Sequence, residues 1–154
     1  MDRDYAGRSF RETRRAPLRN LKKIFIDTGA FLAKELVADQ HHEEAVRLWN
    51  KYYAEGAAFY SSEHILDETL TLFARRTNAS WATSWGKDVM GAGIEWLNTE
   101  SKDLIDAMDL LKKYADQAVS FTDCLSFALM RRDGIRECFA FDRHFQAAGF
   151  RPVI

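Results

Sequence analysis

Asp27 and Asp142 each close a short apolar run, Ile24-Phe25-Ile26 before the first and Cys138-Phe139-Ala140-Phe141 before the second. Short runs of β-branched and aromatic residues read as buried strands. An acid at the carboxyl end of a parallel strand stands where open α/β sheets bind their ligands. A strand-end Asp also caps the turn or helix that follows it, so either acid alone has two readings. Glu68 is more telling. It falls three residues after Ile65 and four before Leu72, on the apolar stripe of a helix over 63–76 that includes Leu66, Thr69 and Phe73. A carboxylate facing a core must be paired or bind a cation; the structural alternative is an internal salt bridge to Arg or Lys. Asp67, about 100° round the helix, points where water can reach it. Asp123 follows Thr122 in the first turn of a further helix, where the helix dipole favours an acid with or without chemistry.

Carboxylates gathered without His or Cys suit a hard cation, Mg2+ with Mn2+ as the alternative, rather than zinc. An ion held by such a cluster activates and orients a water for in-line attack on phosphorus and neutralises the charge that develops. Acids crowded this way repel one another, so the cluster destabilises the fold until a cation arrives.

The elements that must position these acids alternate along the chain. A strand over 23–26 is followed by a turn at Thr28-Gly29, then an amphipathic helix over 41–53 with Ala45, Leu48, Trp49 and Tyr52 on one face. A second strand covers 57–60, and Ser61-Ser62 offers an N-cap to the helix over 63–76. A helix over 81–90, a strand over 94–97, and a helix from Ser101 to Tyr114 come next. Thr122 opens a helix ending at Gly134, the strand 138–141 runs into Asp142, and a short helix over 143–148 precedes an edge strand at 152–154. Strands alternating with helices predict an α/β fold, a three-layer α/β/α sandwich with a mostly parallel, roughly five-stranded sheet.

Length and composition set the frame. A chain of 154 residues with 47% hydrophobic and 29% charged residues is expected to form one globular domain. No apolar run approaches the ~18 residues of a membrane span, and the charged start does not resemble a signal peptide. Two cysteines, Cys124 and Cys138, do not make a disulfide framework, so a cytoplasmic location is expected. Eight Lys/Arg against Asp2, Asp4 and Glu12 make residues 1–23 net +5, which leaves −6 on the body of a chain of net charge −1. We therefore expect a basic extension over 1–22 and a domain over 23–154. The extension either solubilises the protein or attracts nucleic acid.

The four acids as an ordered set resemble the PIN-domain family. The resemblance rests on Ile24-Phe25-Ile26-Asp27-Thr28, Ile65-Leu66-Asp67-Glu68-Thr69-Leu70, Ser120-Phe121-Thr122-Asp123-Cys124 and Phe141-Asp142-Arg143-His144-Phe145, and covers residues 23–154. It implies a ribonuclease in which Asp27, Glu68, Asp123 and Asp142 surround one or two Mg2+ or Mn2+ ions, with the hydroxyls of Thr28 and Thr122 assisting. In size and opening strand the chain is most similar to the VapC-type toxins of toxin–antitoxin systems. That implies RNA as substrate, an antitoxin protein as partner and a homodimer as the expected assembly. Cleavage by direct water attack, leaving 5′-phosphate and 3′-hydroxyl ends, is the expected mechanism. The alternative is a PIN fold that docks RNA or protein without cutting. Cys124 departs from the small residue frequent at its position, and the basic extension is longer than compact toxins usually carry.

The remaining chemistry-bearing residues have structural readings. His41, His42, His64 and His144 form no metalloprotease motif, and Cys124, Cys138 and His144 have no recognised zinc spacing. His144 is expected on a helix surface, with contact to a phosphate as the other reading because it follows Asp142 closely. Trp81, Trp85 and Trp96 with Phe73 are expected in the core, or lining a groove of the kind that holds an antitoxin in the resembled family. Arg75-Arg76 and Arg131-Arg132 are expected as solvated helix ends that are also placed to meet an RNA backbone. A phosphatase-like domain would need a paired second acid after Asp27 and a downstream Lys, and that arrangement is absent.

Overall fold

In the computed structural model, five strands form one wholly parallel sheet in the order β3-β2-β1-β4-β5. The structure describes residues 21–154; most of the expected basic extension lies outside them. The strands are β1 (Lys23–Ile26), β2 (Ala58–Ser62), β3 (Glu95–Leu97), β4 (Glu137–Phe139) and β5 (Arg151–Pro152). The helices are α1 (Thr28–Glu35), α2 (His42–Ala54), α3 (Glu63–Arg76), α4 (Ala79–Met90), α5 (Ser101–Lys113), α6 (Phe121–Arg132) and α7 (Arg143–Ala147). A 3-10 turn at Ala115–Gln117 links α5 to α6. No helix among the described residues is long and apolar enough to cross a membrane.

The central strand explains the order. Ile24, Phe25 and Ile26 are all fully buried, as a strand covered on both faces requires. β1 pairs with β2 through Ile24 opposite Phe59, and with β4 through Phe25 opposite Cys138. Parallel neighbours need crossovers, and right-handed crossovers put the helices of the two half-sheets on opposite faces. The contacts agree: α1 packs on α2 and α3, and α3 on α4, whereas α6 packs on α5 and α7. Phe31, Trp49, Phe59, Phe73 and Trp85 make one aromatic cluster, with Trp85 edge-on to both Phe31 and Phe73. Phe25, Phe127, Phe145 and Phe150 make the other.

Several boundaries differ from those expected. Thr28-Gly29 is no turn; it begins α1 directly, because the Asp27 carboxylate caps the first turn by accepting from Gly29 N at 3.3 Å. The cap of α5 is Glu100, reciprocated by Asp103, so Ser101 is its first helical residue. The cap of α6 is Ser120 and not Thr122. Ser62 caps α3 as expected, accepting from Ile65 N. Arg132 is exposed at the end of α6, as expected, and is also held there. Its guanidinium pairs with Asp103, which is only 3% exposed, reaches Asn98 O at 3.0 Å, and bonds Asp133 as well. That arrangement ties the end of α6 to the start of α5.

Candidate metal centre

The sheet runs outward in opposite directions from β1 and β4, so its topological switch point lies between those two strands. The crevice outside their carboxyl ends is where such sheets bind ligands. Asp27 leaves β1 there, with its own N–H bonded to Phe139 O at 3.1 Å. Asp142 leaves the end of β4 three residues beyond Phe139 and caps α7, accepting from His144 N at 2.8 Å. The two strand-end acids therefore cap helices and also face one crevice; the two readings of the sequence are compatible.

Asp27 is 7% exposed. Burial, and then the charge of Asp123, pushes its carboxyl up to about 7; the N–H groups of Gly29 and Thr28 oppose the shift and Glu68 adds to it. Asp123 and Glu68 are thus the charged neighbours that act on Asp27. Glu68 lies on the inner side of α3 and is half-buried, whereas Asp67 beside it is exposed. The Thr28 hydroxyl donates to Glu68 Oε2 at 2.6 Å, which aims the carboxylate across the gap between α1 and α3. Among the described residues no Lys or Arg pairs with Glu68, and its hydrogen-bond partner is the Thr28 hydroxyl.

Asp123 is held by a reciprocal cap: Ser120 Oγ accepts from Asp123 N at 3.0 Å, and Asp123 Oδ2 accepts from Ser120 N at 3.1 Å. The pair sets the direction of the carboxylate at the mouth of α6, a helix whose residues Cys124 to Met130 are all buried. Among the described residues, the Thr122 hydroxyl makes no hydrogen bond to any of the four acids; the Thr122 carbonyl accepts from Ser126 Oγ. Thr28 thus hydrogen-bonds one of the acids directly.

His144 was expected on the surface, and the structure puts it at the acids. Its side chain is 17% exposed, and Nδ1 lies 3.0 Å from Asp142 Oδ1 and 4.0 Å from Asp123 Oδ2. Ligand atoms of Asp123, Asp142 and His144 all fall within 4.8 Å of one another. The signal that could have found it is its place two residues after a strand-end acid, with Phe145 next to it drawn fully into the core. The cysteines are elsewhere in character. Cys124 and Cys138 are fully buried, and burial pushes the Cys138 thiol up to about 12 and the Cys124 thiol upward too. Neither is poised as a thiolate ligand, in keeping with core packing.

Asp27 is buried against its preference with Asp123 and Glu68 as electrostatic neighbours, and Asp123 and Asp142 bring ligand atoms within 4.8 Å of each other. Among the described residues no Lys or Arg pairs with any of these acids. That donor set fits a divalent metal ion, with Asp27, Glu68, Asp123 and Asp142 as the residues that would hold it.

Comparisons with known proteins bear on the family and the fold. The chain is 32% identical over 130 residues to the 23S rRNA-specific endonuclease VapC20 of Mycobacterium tuberculosis, covering 84% of this chain and 97% of that one. The crystal structure of the same Mycobacterium tuberculosis VapC20, described as a Sarcin-Ricin loop cleaving toxin, superposes with a TM-score of 0.75 at 31% identity, over 82% of this chain and 95% of that one. VapBC2 from Rickettsia felis bound to a promoter DNA fragment shares the fold at 12% identity, with a TM-score of 0.60 over 84% of this chain and 96% of that one. DNA-bound VapBC from Salmonella typhimurium does so at 15%, with 0.57 over 86% and 97%. The family model for the PIN domain matches residues 24–151, from the first buried residue of β1 to the start of β5, and the chain belongs to the PIN-domain family.

Proposed function

We propose that this protein is a metal-dependent endoribonuclease, the toxin of a toxin–antitoxin pair, acting in the cytoplasm on structured RNA. The observation that supports the reading most is the position of Asp27 beyond β1 at the switch point, with Asp123 and Glu68 as its electrostatic neighbours and Asp142 grouped with Asp123. A relative named for endonuclease action on 23S rRNA, matched over 97% of its length, supports it.

Each residue has a distinct task in this reading. Asp27, the most buried of the four, anchors the cation from the rigid end of β1. Glu68, aimed by the Thr28 hydroxyl, completes the charge from the α3 side. Asp123 and Asp142, on the more open side of the crevice, face the scissile phosphate and position the attacking water; the Asp142 side chain is 40% exposed. A divalent ion, Mg2+ or Mn2+, would supply Lewis acidity to the phosphodiester and to that water. Direct attack by water leaves a 5′-phosphate and a 3′-hydroxyl, with no part for the ribose 2′-hydroxyl as nucleophile.

The partners in this proposal are an RNA substrate, an antitoxin protein and a second copy of the chain. An apolar groove of about 540 Å3 lies between α3 and α4, lined by Leu66, Leu70, Ala82, Gly86 and Met90 among others, and offers an antitoxin a seat. Phe73 and Trp85 lie in the core, as expected, and Trp81 packs edge-on against Phe73.

The test is cleavage of 23S rRNA and of a synthetic sarcin–ricin stem-loop in Mg2+ or Mn2+, comparing wild type, Asp27→Asn and an EDTA control, with end-group analysis of the products. Metal-dependent cutting that is lost in the variant and leaves 5′-phosphates is expected. A 2′,3′-cyclic phosphate product would overturn the mechanism. Folded, metal-loaded protein that binds these RNAs without cutting them would identify a docking module.

A further inference from the structure

We propose that His144 is a nitrogen ligand of the cation at this acidic site, and that the site consequently takes a first-row transition ion, Mn2+, in preference to Mg2+. The inference rests on the metal-site reading above and goes beyond its four oxygen donors. His144 Nδ1 is buried from solvent and has no hydrogen-bond partner. Asp142 Oδ1 is 3.0 Å away, yet outside the angular range of a hydrogen bond from the ring. The contact with Asp142 is an ion pair only when the ring is protonated. A neutral ring nitrogen buried beside these two carboxylates has no bond unless a cation joins all three, whose ligand atoms lie within 4.8 Å of one another.

The spacings suit a shared ion. Ligands about 2.1 Å from an octahedral cation stand about 3.0 Å apart when adjacent and about 4.2 Å apart when opposite. Nδ1 lies 3.0 Å from Asp142 Oδ1 and 4.0 Å from Asp123 Oδ2. The ring cannot easily leave. The neighbouring Phe145 is fully buried, stacking edge-on against Phe127 of α6 at 5.0 Å, so α7 holds His144 against the acids. The carboxylate cluster alone suits a hard ion, and an imidazole added to it raises the affinity for first-row transition ions relative to Mg2+. Mn2+ accepts both donor types and retains the carboxylate ligands the site is built from. His41, stacked on Phe141 with centroids 4.3 Å apart, is another imidazole near this end of the sheet, and the test must separate the two.

The experiment loads the full chain with Mn2+ and records pulsed electron paramagnetic resonance. Alongside it, calorimetric titration of wild type, His144→Leu and His144→Asp measures the Mn2+ and Mg2+ affinities. The expected result is nitrogen modulation from a directly bound imidazole in wild type, lost in both variants while Mn2+ still binds. The ratio of Mn2+ to Mg2+ affinity should fall about tenfold or more in His144→Leu and fall in His144→Asp as well, where an oxygen donor replaces the nitrogen. If His144→Leu fails to fold, the aspartate variant carries the comparison. Bound Mn2+ without nitrogen modulation in wild type, or modulation that survives both substitutions, would overturn the role of His144 and leave the four-acid site standing. Absence of divalent-ion binding by wild type would instead overturn the metal site itself.

Discussion

Asp27 is held in the fold against its electrostatic preference, and that conflict can be measured. Its folded carboxyl titrates at about 7 against an ordinary value of 3.8, so the folded state binds this proton more tightly than the unfolded chain does. Its cost is therefore absent below pH 3.8, grows as pH rises, and is complete above about 7. Asp27→Asn removes a charge that must otherwise be buried beside Asp123 and Glu68. In EDTA the variant should melt at about the wild-type temperature at pH 4 and above it at pH 8, by an amount worth at most about 4 kcal/mol. A variant less stable than wild type at pH 8 would contradict the account. The same substitution removes the proposed anchor of the cation, so added Mn2+ should raise the melting temperature of wild type and leave the variant nearly unmoved.

At the scale of elements, helix ends do the positioning. Three of the four acids sit in or beside a helix cap: Asp27 at α1, Asp123 in the reciprocal cap of α6, and Asp142 at α7. Ser120→Ala removes the hydroxyl that caps α6, at a cost of about 1 kcal/mol in urea unfolding. It also frees the Asp123 backbone to shift, so metal affinity should fall by more than the stability loss explains; a variant with unchanged affinity would show that Asp123 is not aimed by its cap. The pairing of Arg132 with Asp103 makes a different prediction. Arg132→Leu strands a 3%-exposed carboxylate, a change that costs about 3–5 kcal/mol for fully buried pairs. The guanidinium is itself 34% exposed and Asp103 keeps its bond from Glu100 N, so roughly 2 kcal/mol is expected. Cleavage by the folded fraction should be unchanged, because this pair lies at the α5 side and not in the crevice.

Across the whole molecule, the candidate centre draws on β1, α3, α6 and the segment from β4 to α7, which are distant in the chain and close only in the fold. A cation bound to the native state alone stabilises it by about 2.7 kcal/mol at one hundred times its dissociation constant. The gain should be spread over these segments. Hydrogen exchange on adding Mn2+ should slow most at the Ser120 turn and in α7, a five-residue helix capped by Asp142, since short capped elements open locally most easily. Protection confined to α3 and α4 would place the ion elsewhere.

How much of this was legible in advance follows from the range of the forces involved. Ile24-Phe25-Ile26 and the stripe of α3 are local patterns, and periodicity alone gives their elements and marks Glu68 as an acid on the wrong face. The alternation of strand and helix gives the α/β class for the same reason. Caps are also local, yet Ser120 and Thr122, or Glu100 and Ser101, compete within one turn, and only the settled backbone chooses between them. The opening of α1 at Thr28 was hidden because Gly29 reads as a turn until the Asp27 side chain is seen holding it. The final surroundings of His144 and Arg132 are set by contacts at longer range. One is drawn to the acids by the docking of Phe145 against Phe127, the other to Asp103 by the packing of α6 on α5. Residue types and their periodicity determined the strands, the helices and the acids worth watching. The tertiary structure decided which of those acids meet, how strongly Asp27 is pushed from its ordinary titration, and which neighbours join them, because burial and Coulomb interaction depend on distances that the order of residues along a chain does not contain.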